Sequence, residues 1–384
     1  MKIIITRNAP DVMEYSDGSY NLQEIGLARA LNKKGHRCDV VYSGGKKEKT
    51  IEIEYDEGKT FKLIYLKAIK IVDNGYLLGL DRLVKQYDVI HSGAYDQLRT
   101  WVFANKYPEK LVVYQGPYAS EYTANYNKKC YLADKLFVPI YKKNKITFIT
   151  KSKLSSDFLM EKGLVDVTPI GVGFDLAQMG SDQERKEPLY SELIQRKNTG
   201  QRIILYVGRI EDRRNILFML ELLKQYKAKY SEEKTILLII GKGNEDYVDR
   251  CKCFIKENDL SDQIVWIDRV EQKYLPAIYK LADVFWLPTK YEIFGMVLLE
   301  AMYYGVPVVS TFNGGSSILI NDGYNGFICD TSSDSWIERT HSLMSNCEFS
   351  DMIGKNAHDT IEKKFTWDAL ADQFIEIYRR KISE

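Results

Sequence analysis

Two apolar runs, Ile3-Ile4-Ile5 near the start and Ile203-Ile204-Leu205-Tyr206-Val207 past the midpoint, each open a strand, loop and helix pattern. A strand without polar alternation is buried on both faces, and its usual home is a parallel sheet covered by helices. After the first run a helix carries Leu22, Ile25, Ala28 and Leu31 on one face and stops at Gly35, and Asp39–Tyr42 reads as the next strand, completing a βαβ unit. Further strands are expected at Phe61–Leu66, Val89-Ile90-His91, Leu111–Tyr114 and Thr147-Phe148-Ile149, with helical stretches between them. From Gly173 to about Gly200 the rhythm lapses into polar and charged residues around Pro188, which reads as a linker. The pattern then restarts with a helix at Leu217–Tyr226 and strands at Ile236–Ile240, Ile264-Val265-Trp266, Val284–Leu287 and Val306–Ser310. The pattern predicts an α/β protein of two Rossmann-like, doubly wound domains, 1–178 and 179–366, facing a central cleft. The stripe Trp367, Leu370, Phe374, Ile377 and Tyr378 makes a tail helix of about 367–384 that needs a surface, and it is expected to cross back to the first domain.

With 384 residues, 45% hydrophobic and 28% charged, the chain can bury real cores. A net charge of +1 gives no argument for nucleic acid. The charge is unevenly spread: residues 1–180 hold 27 basic and 21 acidic side chains, the remainder 27 and 32. The basic half suggests an anionic partner, against the plainer reading of two solvated surfaces. Six scattered cysteines lack the paired spacing of a zinc site, so no metal is expected and the thiols suit a reducing, cytoplasmic setting. The opening residues stop being apolar too soon for a signal peptide, and the long uncharged stretch from Ala301 is broken by Gly305, Pro307 and Gly314-Gly315.

Two strand-end loops carry the chemistry. In Glu292-Ile293-Phe294-Gly295 a loop runs into a helix starting near Gly295, and Glu300 lies inside that helix. The free N–H groups and the dipole of a helix N-terminus suit an anion such as a diphosphate, while the two carboxylates suit hydroxyl groups. In Gly208-Arg209-Ile210-Glu211-Asp212-Arg213-Arg214, Arg209 and Arg214 can clamp phosphate oxygens, whereas Arg213 reads as solvated. Gly241-Lys242-Gly243 adds a third loop with close backbone approach, without the last glycine of a dinucleotide fingerprint.

These residues, with Ala282-Asp283-Val284, Pro288, the E-x7-E run Glu292 to Glu300, Gly305-Val306-Pro307 and Gly314-Gly315, resemble the retaining glycosyltransferases of the GT-B fold, family 4. The resemblance covers nearly the whole chain and is weakest in its first half. It implies a metal-independent hexosyltransferase with no cofactor, whose co-substrate is a nucleotide-sugar, UDP-sugar ahead of GDP-sugar. It further implies that Arg209 and Arg214 bind the diphosphate, with Gly18 closing over it and Gly241 alongside. Glu300 would hold the ribose. Glu292, with the amides of Ile293, Phe294 and Gly295, would meet the transferred sugar, and Arg269-Val270 would line the base. Arg214 stands where lysine is usual, and Gln115 stands where a histidine is common. Glutamine cannot be a general base but can accept a hydrogen bond from a sugar hydroxyl.

The acceptor-side candidates are His91, Gln115 and Tyr118, the last in a tyrosine series (114, 118, 122, 126) that Gly116-Pro117 keeps from being one helix. The expected partners are a saccharide or lipid-linked acceptor in cell-surface polysaccharide assembly, with peripheral contact to the cytoplasmic membrane face through Lys128-Lys129 and Lys142-Lys143. The competing functions are a non-catalytic carbohydrate binder descended from such an enzyme and a sugar-nucleotide epimerase of similar fold.

Overall fold

The first apolar run forms the strand Lys2–Thr6 (β1), whose Ile3, Ile4 and Ile5 are fully buried. The computed structural model describes residues 1–9, 11–16, 22–71, 74–176 and 188–383. Gly18 therefore lies outside the described residues. The chain divides into two compact units, Met1–Gln178 with Phe365–Glu384, and Met179–Lys364.

In the first unit the strands continue as β2 (Arg37–Ser43), β3 (Lys49–Asp56), β4 (Lys59–Leu66), β5 (Ala68–Ile71), β6 (Asn74–Leu77), β7 (Val89–Gly93), β8 (Leu111–Gln115), β9 (Thr147–Thr150) and β10 (Val167–Pro169). The main sheet has the order β10-β9-β8-β7-β1-β2-β4-β3 and is parallel except at the edge, where β3 runs antiparallel to β4. Ile53 of β3 is buried while Glu52 and Glu54 face water, so the edge strand carries charge where a free edge would invite pairing. Between Leu66 and Val89, where helices were expected, the chain forms the hairpin β5–β6 and only a short helix, Leu80–Val84. Its segments are too short to gain from helix propagation, and pairing side by side satisfies their backbone groups instead.

The helix Trp367–Ser383 packs on this first unit, with Trp367, Leu370, Phe374, Ile377 and Tyr378 all buried. Trp367 lies against Gly26 and Gly173 so closely that a Cβ on either glycine would overlap the indole. Polar ties flank this contact: the Tyr378 hydroxyl meets His91 Nδ1 at 2.7 Å, Lys34 meets Asp372 at 2.8 Å and Arg380 meets Asp166 at 2.6 Å.

The second unit holds β11 (Arg202–Val207), β12 (Thr235–Ile240), β13 (Ile264–Ile267), β14 (Val284–Leu287), β15 (Val308–Ser310) and β16 (Phe327–Ile328). Their order, β13-β12-β11-β14-β15-β16, is parallel throughout and is the doubly wound order, reversing between β11 and β14. The expected linker is corrected in its second half, where Pro188–Asn198 is a helix burying Leu189 and Leu193. Pro188 is its first residue, a place where a missing N–H costs no intrahelical bond.

Truncating Trp367 leaves a void between two glycines that cannot fill it. Trp367→Ala is therefore expected to destabilise the first unit by about 3–5 kcal/mol, read as an earlier urea midpoint for that unit's transition. An unchanged midpoint would mean that the tail helix is not part of the first unit's core.

Candidate functional site

Where the strand order of a doubly wound sheet reverses, the loops leaving neighbouring strands diverge and open a crevice at their carboxyl ends. In the second unit those loops are 208–215 after β11 and 288–295 after β14, and they are tied directly to each other. The N–H of Lys290 donates to the Arg213 carbonyl at 2.8 Å, the Thr289 hydroxyl donates to the same oxygen at 3.1 Å, and Arg213 Nη1 donates to the Tyr291 carbonyl at 2.9 Å. Arg213 also pairs with Glu211 at 2.6 Å, so it is a structural clasp and not the solvated residue its position in a charged turn suggests.

Arg214 and Glu292, 78 residues apart in the chain, form a direct ion pair through Nη1 and Oε2, and both side chains are 12% exposed. The Glu292 carboxylate, with Glu211 also nearby, holds the Arg214 guanidinium firmly protonated despite its burial. Glu292 Oε1 accepts from the N–H of Ile293 at 3.0 Å, which fixes the carboxylate over its own loop. Gly295 then turns the chain into the helix Met296–Tyr303 with φ of +78°, a conformation that favours glycine. Phe294 is buried beneath this turn. Arg209 stands exposed at the end of β11, with its carbonyl accepting from the Tyr206 hydroxyl at 2.9 Å.

These loops are seated by backbone contact. A Cβ on Gly241 would overlap the Gly208 carbonyl, and one on Gly243 would overlap that of Ile210. Likewise Gly314 lies against the carbonyls of Glu292 and Ile293, and Gly315 against that of Phe294. Asn313, which sequence reasoning missed, holds the glycine pair: its Oδ1 accepts from the N–H groups of Gly315 at 2.9 Å and Ser316 at 3.1 Å. Gly241 is thus placed as a spacer between strand-end loops. After β13, Arg269 is exposed and Val270 is buried.

Glu300 is 1% exposed on the inner face of its helix. Its Oε2 accepts from the Tyr279 hydroxyl at 2.8 Å, while Oε1 is buried without a hydrogen-bond partner. Burial raises its carboxyl pKa to about 8. Tyr279 had no legible signal in the sequence, since it follows Pro276 in a short helix, Leu275–Tyr279, with no motif around it.

The reversal in the first unit falls between β1 and β7, and there a cavity of about 240 Å³ is lined, among the described residues, by first-unit residues. His91 lines it, buried and packed among Tyr114, Phe374 and Tyr378. Burial, reinforced by the Lys151 charge, lowers its pKa to about 3, which leaves a neutral imidazole. Gln115 corrects an expectation. Its Oε1 accepts from the N–H of Tyr95 at 2.9 Å, and its Nε2 donates to the Pro117 carbonyl at 2.5 Å and the Tyr126 hydroxyl at 2.9 Å, so the amide holds the loop after β8 in place. Tyr118 is buried in that same loop. Sequence reasoning missed Arg7 and Lys151, which also line the cavity. Each directly follows an apolar strand, and that placement alone could have flagged them.

Glu300 generates a pH prediction. Its carboxyl stays protonated to about 8 in the fold but ionises near the ordinary 4.5 once unfolded. The folded state therefore binds the extra proton, and the stability it contributes is full below about 4.5 and fades as the pH rises toward 8. Glu300→Gln should remove that decline, so that urea midpoints of the wild type fall relative to the variant between about pH 5 and pH 8. Parallel profiles would show that Glu300 is not held neutral.

Residues 192–360 match the family model of the glycosyl transferases group 1. An uncharacterized glycosyltransferase of Methanocaldococcus jannaschii is 29% identical over 181 residues, covering 47% of this chain and 45% of the relative. The chain spans about half the length of the curated relatives it matches. Sucrose-phosphate synthase from Thermosynechococcus elongatus aligns in structure with a TM-score of 0.70 at 20% identity, covering 100% of this chain and 99% of that one. Anabaena HepE in complex with UDP aligns with a TM-score of 0.72 at 17% identity, covering 99% and 100%. Identities this low speak to fold alone. The chain has the GT-B fold of two Rossmann-like units, and its residues 192–360 match the glycosyl transferases group 1.

Proposed function

We propose that the protein is a retaining glycosyltransferase of the family 4 type, moving a sugar from a nucleotide-sugar to a saccharide or lipid-linked acceptor in cell-surface glycan assembly. The observation that carries this reading is the Arg214–Glu292 pair at the strand-order reversal, beside a helix N-terminus and the exposed Arg209. The UDP bound in HepE supports a UDP-sugar as donor. Arg209, Arg214 and the first-turn N–H groups of the helix Met296–Tyr303 receive the diphosphate, and Arg214 partly exchanges Glu292 for phosphate oxygens. Glu292, with the backbone of Ile293, Phe294 and Gly295, then faces the transferred sugar. The free Oε1 of Glu300 takes a ribose hydroxyl, and Arg269-Val270 lines the base. The first unit supplies the acceptor side.

In the transfer, the acceptor hydroxyl attacks the anomeric carbon on the face from which the diphosphate departs. One C–O bond forms, the bond to the diphosphate breaks, and the leaving phosphate oxygen takes the acceptor proton. That course needs no protein base, in keeping with a neutral His91 and a Gln115 engaged in its loop. Negative charge grows on the diphosphate as it leaves, and the two guanidinium groups and the helix N-terminus stabilise it without a divalent ion or cofactor.

Among the described residues no helix is long and apolar enough to cross a membrane. The helix Ala124–Leu136 exposes Tyr131, Leu132 and Leu136 together with Lys128 and Lys135, a combination suited to resting on an anionic lipid face at the cytoplasmic side. Co-sedimentation with phosphatidylglycerol vesicles should therefore occur and be lost in the double variant Leu132→Glu, Leu136→Glu; retention by that variant would remove the membrane contact.

Incubation with a panel of nucleotide-sugars, with and without saccharide acceptors, tests the activity. Transfer with retained anomeric configuration is the expected outcome, whereas UDP binding without turnover would point to a carbohydrate binder. Arg209→Ala should lower turnover by roughly 10²–10³-fold, the loss seen when one preorganised charge-stabilising group is removed. Near-normal turnover would return Arg209 to a solvated turn.

A further inference from the structure

The first-unit cavity is lined by two cations, Arg7 and Lys151, and one carboxylate, Glu24. Arg7 Nη1 stands 3.5 Å from Glu24 Oε1, and Glu24 also accepts from the Tyr42 hydroxyl at 3.0 Å. Among the described residues no carboxylate stands within ion-pair distance of Lys151: Nζ donates to the amide oxygen of Gln23 at 2.7 Å and lies 4.9 Å from the centre of the Tyr114 ring. With His91 neutral, the described residues of the lining carry one positive charge beyond what Glu24 balances. Three of the lining residues also carry a buried polar atom without a hydrogen-bond partner: Arg7 Nε, Asn8 Oδ1 and Gln97 Oε1. Buried donors and acceptors left without partners are costly unless a ligand completes them.

We propose that this cavity binds a polyhydroxylated ligand bearing an anionic group, with Arg7 and Lys151 on the anion and Asn8 and Gln97 accepting from its hydroxyls. The donors match an anionic oxygen and the bare acceptors match O–H groups, so a neutral sugar would satisfy only half of the lining. Naming this ligand as the glycosyl acceptor rests on the proposed transferase function; the binding itself does not. The requirement for a charged Lys151 also sets a pH dependence. Burial, opposed by Glu24 and reinforced by Arg7, brings its pKa to about 8. Affinity for the anion is therefore full below that value and falls as the pH rises through it.

Calorimetric titration of the full chain with glucose 6-phosphate, glucuronate and glucose, under saturating UDP, tests the inference. Both anionic probes are expected to bind and glucose to bind about ten-fold more weakly or not at all. Lys151→Met should cost the anions about ten-fold or more and leave glucose unaffected, while Lys151→Arg should restore most of the affinity. Gln97→Ala, at a half-buried position, should weaken glucose 6-phosphate more than inorganic phosphate. Equal affinities for glucose and the two anions, no binding by either anion, or an indifferent Lys151→Met would each overturn the proposal. Failure of UDP to bind would instead count against the transferase reading, and the comparison of anions with glucose would still decide the cavity.

Discussion

Backbone resting on backbone, with no side chain between, is the contact on which the second unit's site depends. The carbonyls of Gly208 and Ile210 occupy the space that Cβ atoms on Gly241 and Gly243 would need, and the carbonyls from Glu292 to Phe294 do the same at Gly314 and Gly315. Four strand-end loops are thereby held at carbonyl-to-Cα distance. Such seats do not adjust, because peptide planes have no rotamers to change. Substituting any of these glycines would push apart the loops that bring Arg214 to Glu292.

The strand order explains why charge collects at these places. A sheet that winds outward in both directions from its first strand leaves neighbouring loops diverging at one point, and both units place charged residues there. In the second unit the point is the loop pair after β11 and β14, with Arg209, Arg214 and Glu292. In the first it is the loop pair after β1 and β7, where Arg7 and Asn8 face a cavity that Lys151 closes from β9. The second unit presses Glu292 onto Arg214 and leaves Arg209 exposed, and the first sets Glu24 beside Arg7 and leaves Lys151 on the amide of Gln23.

Burial also decides which titratable groups can work as acids or bases. His91 and Glu300 are both driven to their neutral forms, one by a lowered pKa and the other by a raised one, because each is buried, and for His91 the Lys151 charge adds to the effect. Neutral groups in these positions donate or accept hydrogen bonds without carrying charge into the core. Transfer chemistry that uses the leaving phosphate as its base is compatible with such an interior.

The two Rossmann-like repeats, the tail helix, the strand-end positions of Arg209, Arg214 and Glu292 and the place of Glu300 in the helix that follows were legible in the sequence. Period, apolar runs and glycine placement are local properties that the chain carries wherever it is. The hairpin after Leu66 and the helix Pro188–Asn198 were not, because short segments take their form from what they pair with. Nor were the contacts that give the sites their character. That Arg213 clasps a loop, that Gln115 is engaged by Tyr95 and Tyr126, and that Lys151 rests on Gln23 follow from approaches between residues distant in the chain. Only the folded tertiary structure decides those, since hydrogen bonding, desolvation and charge balance are set by neighbours in space.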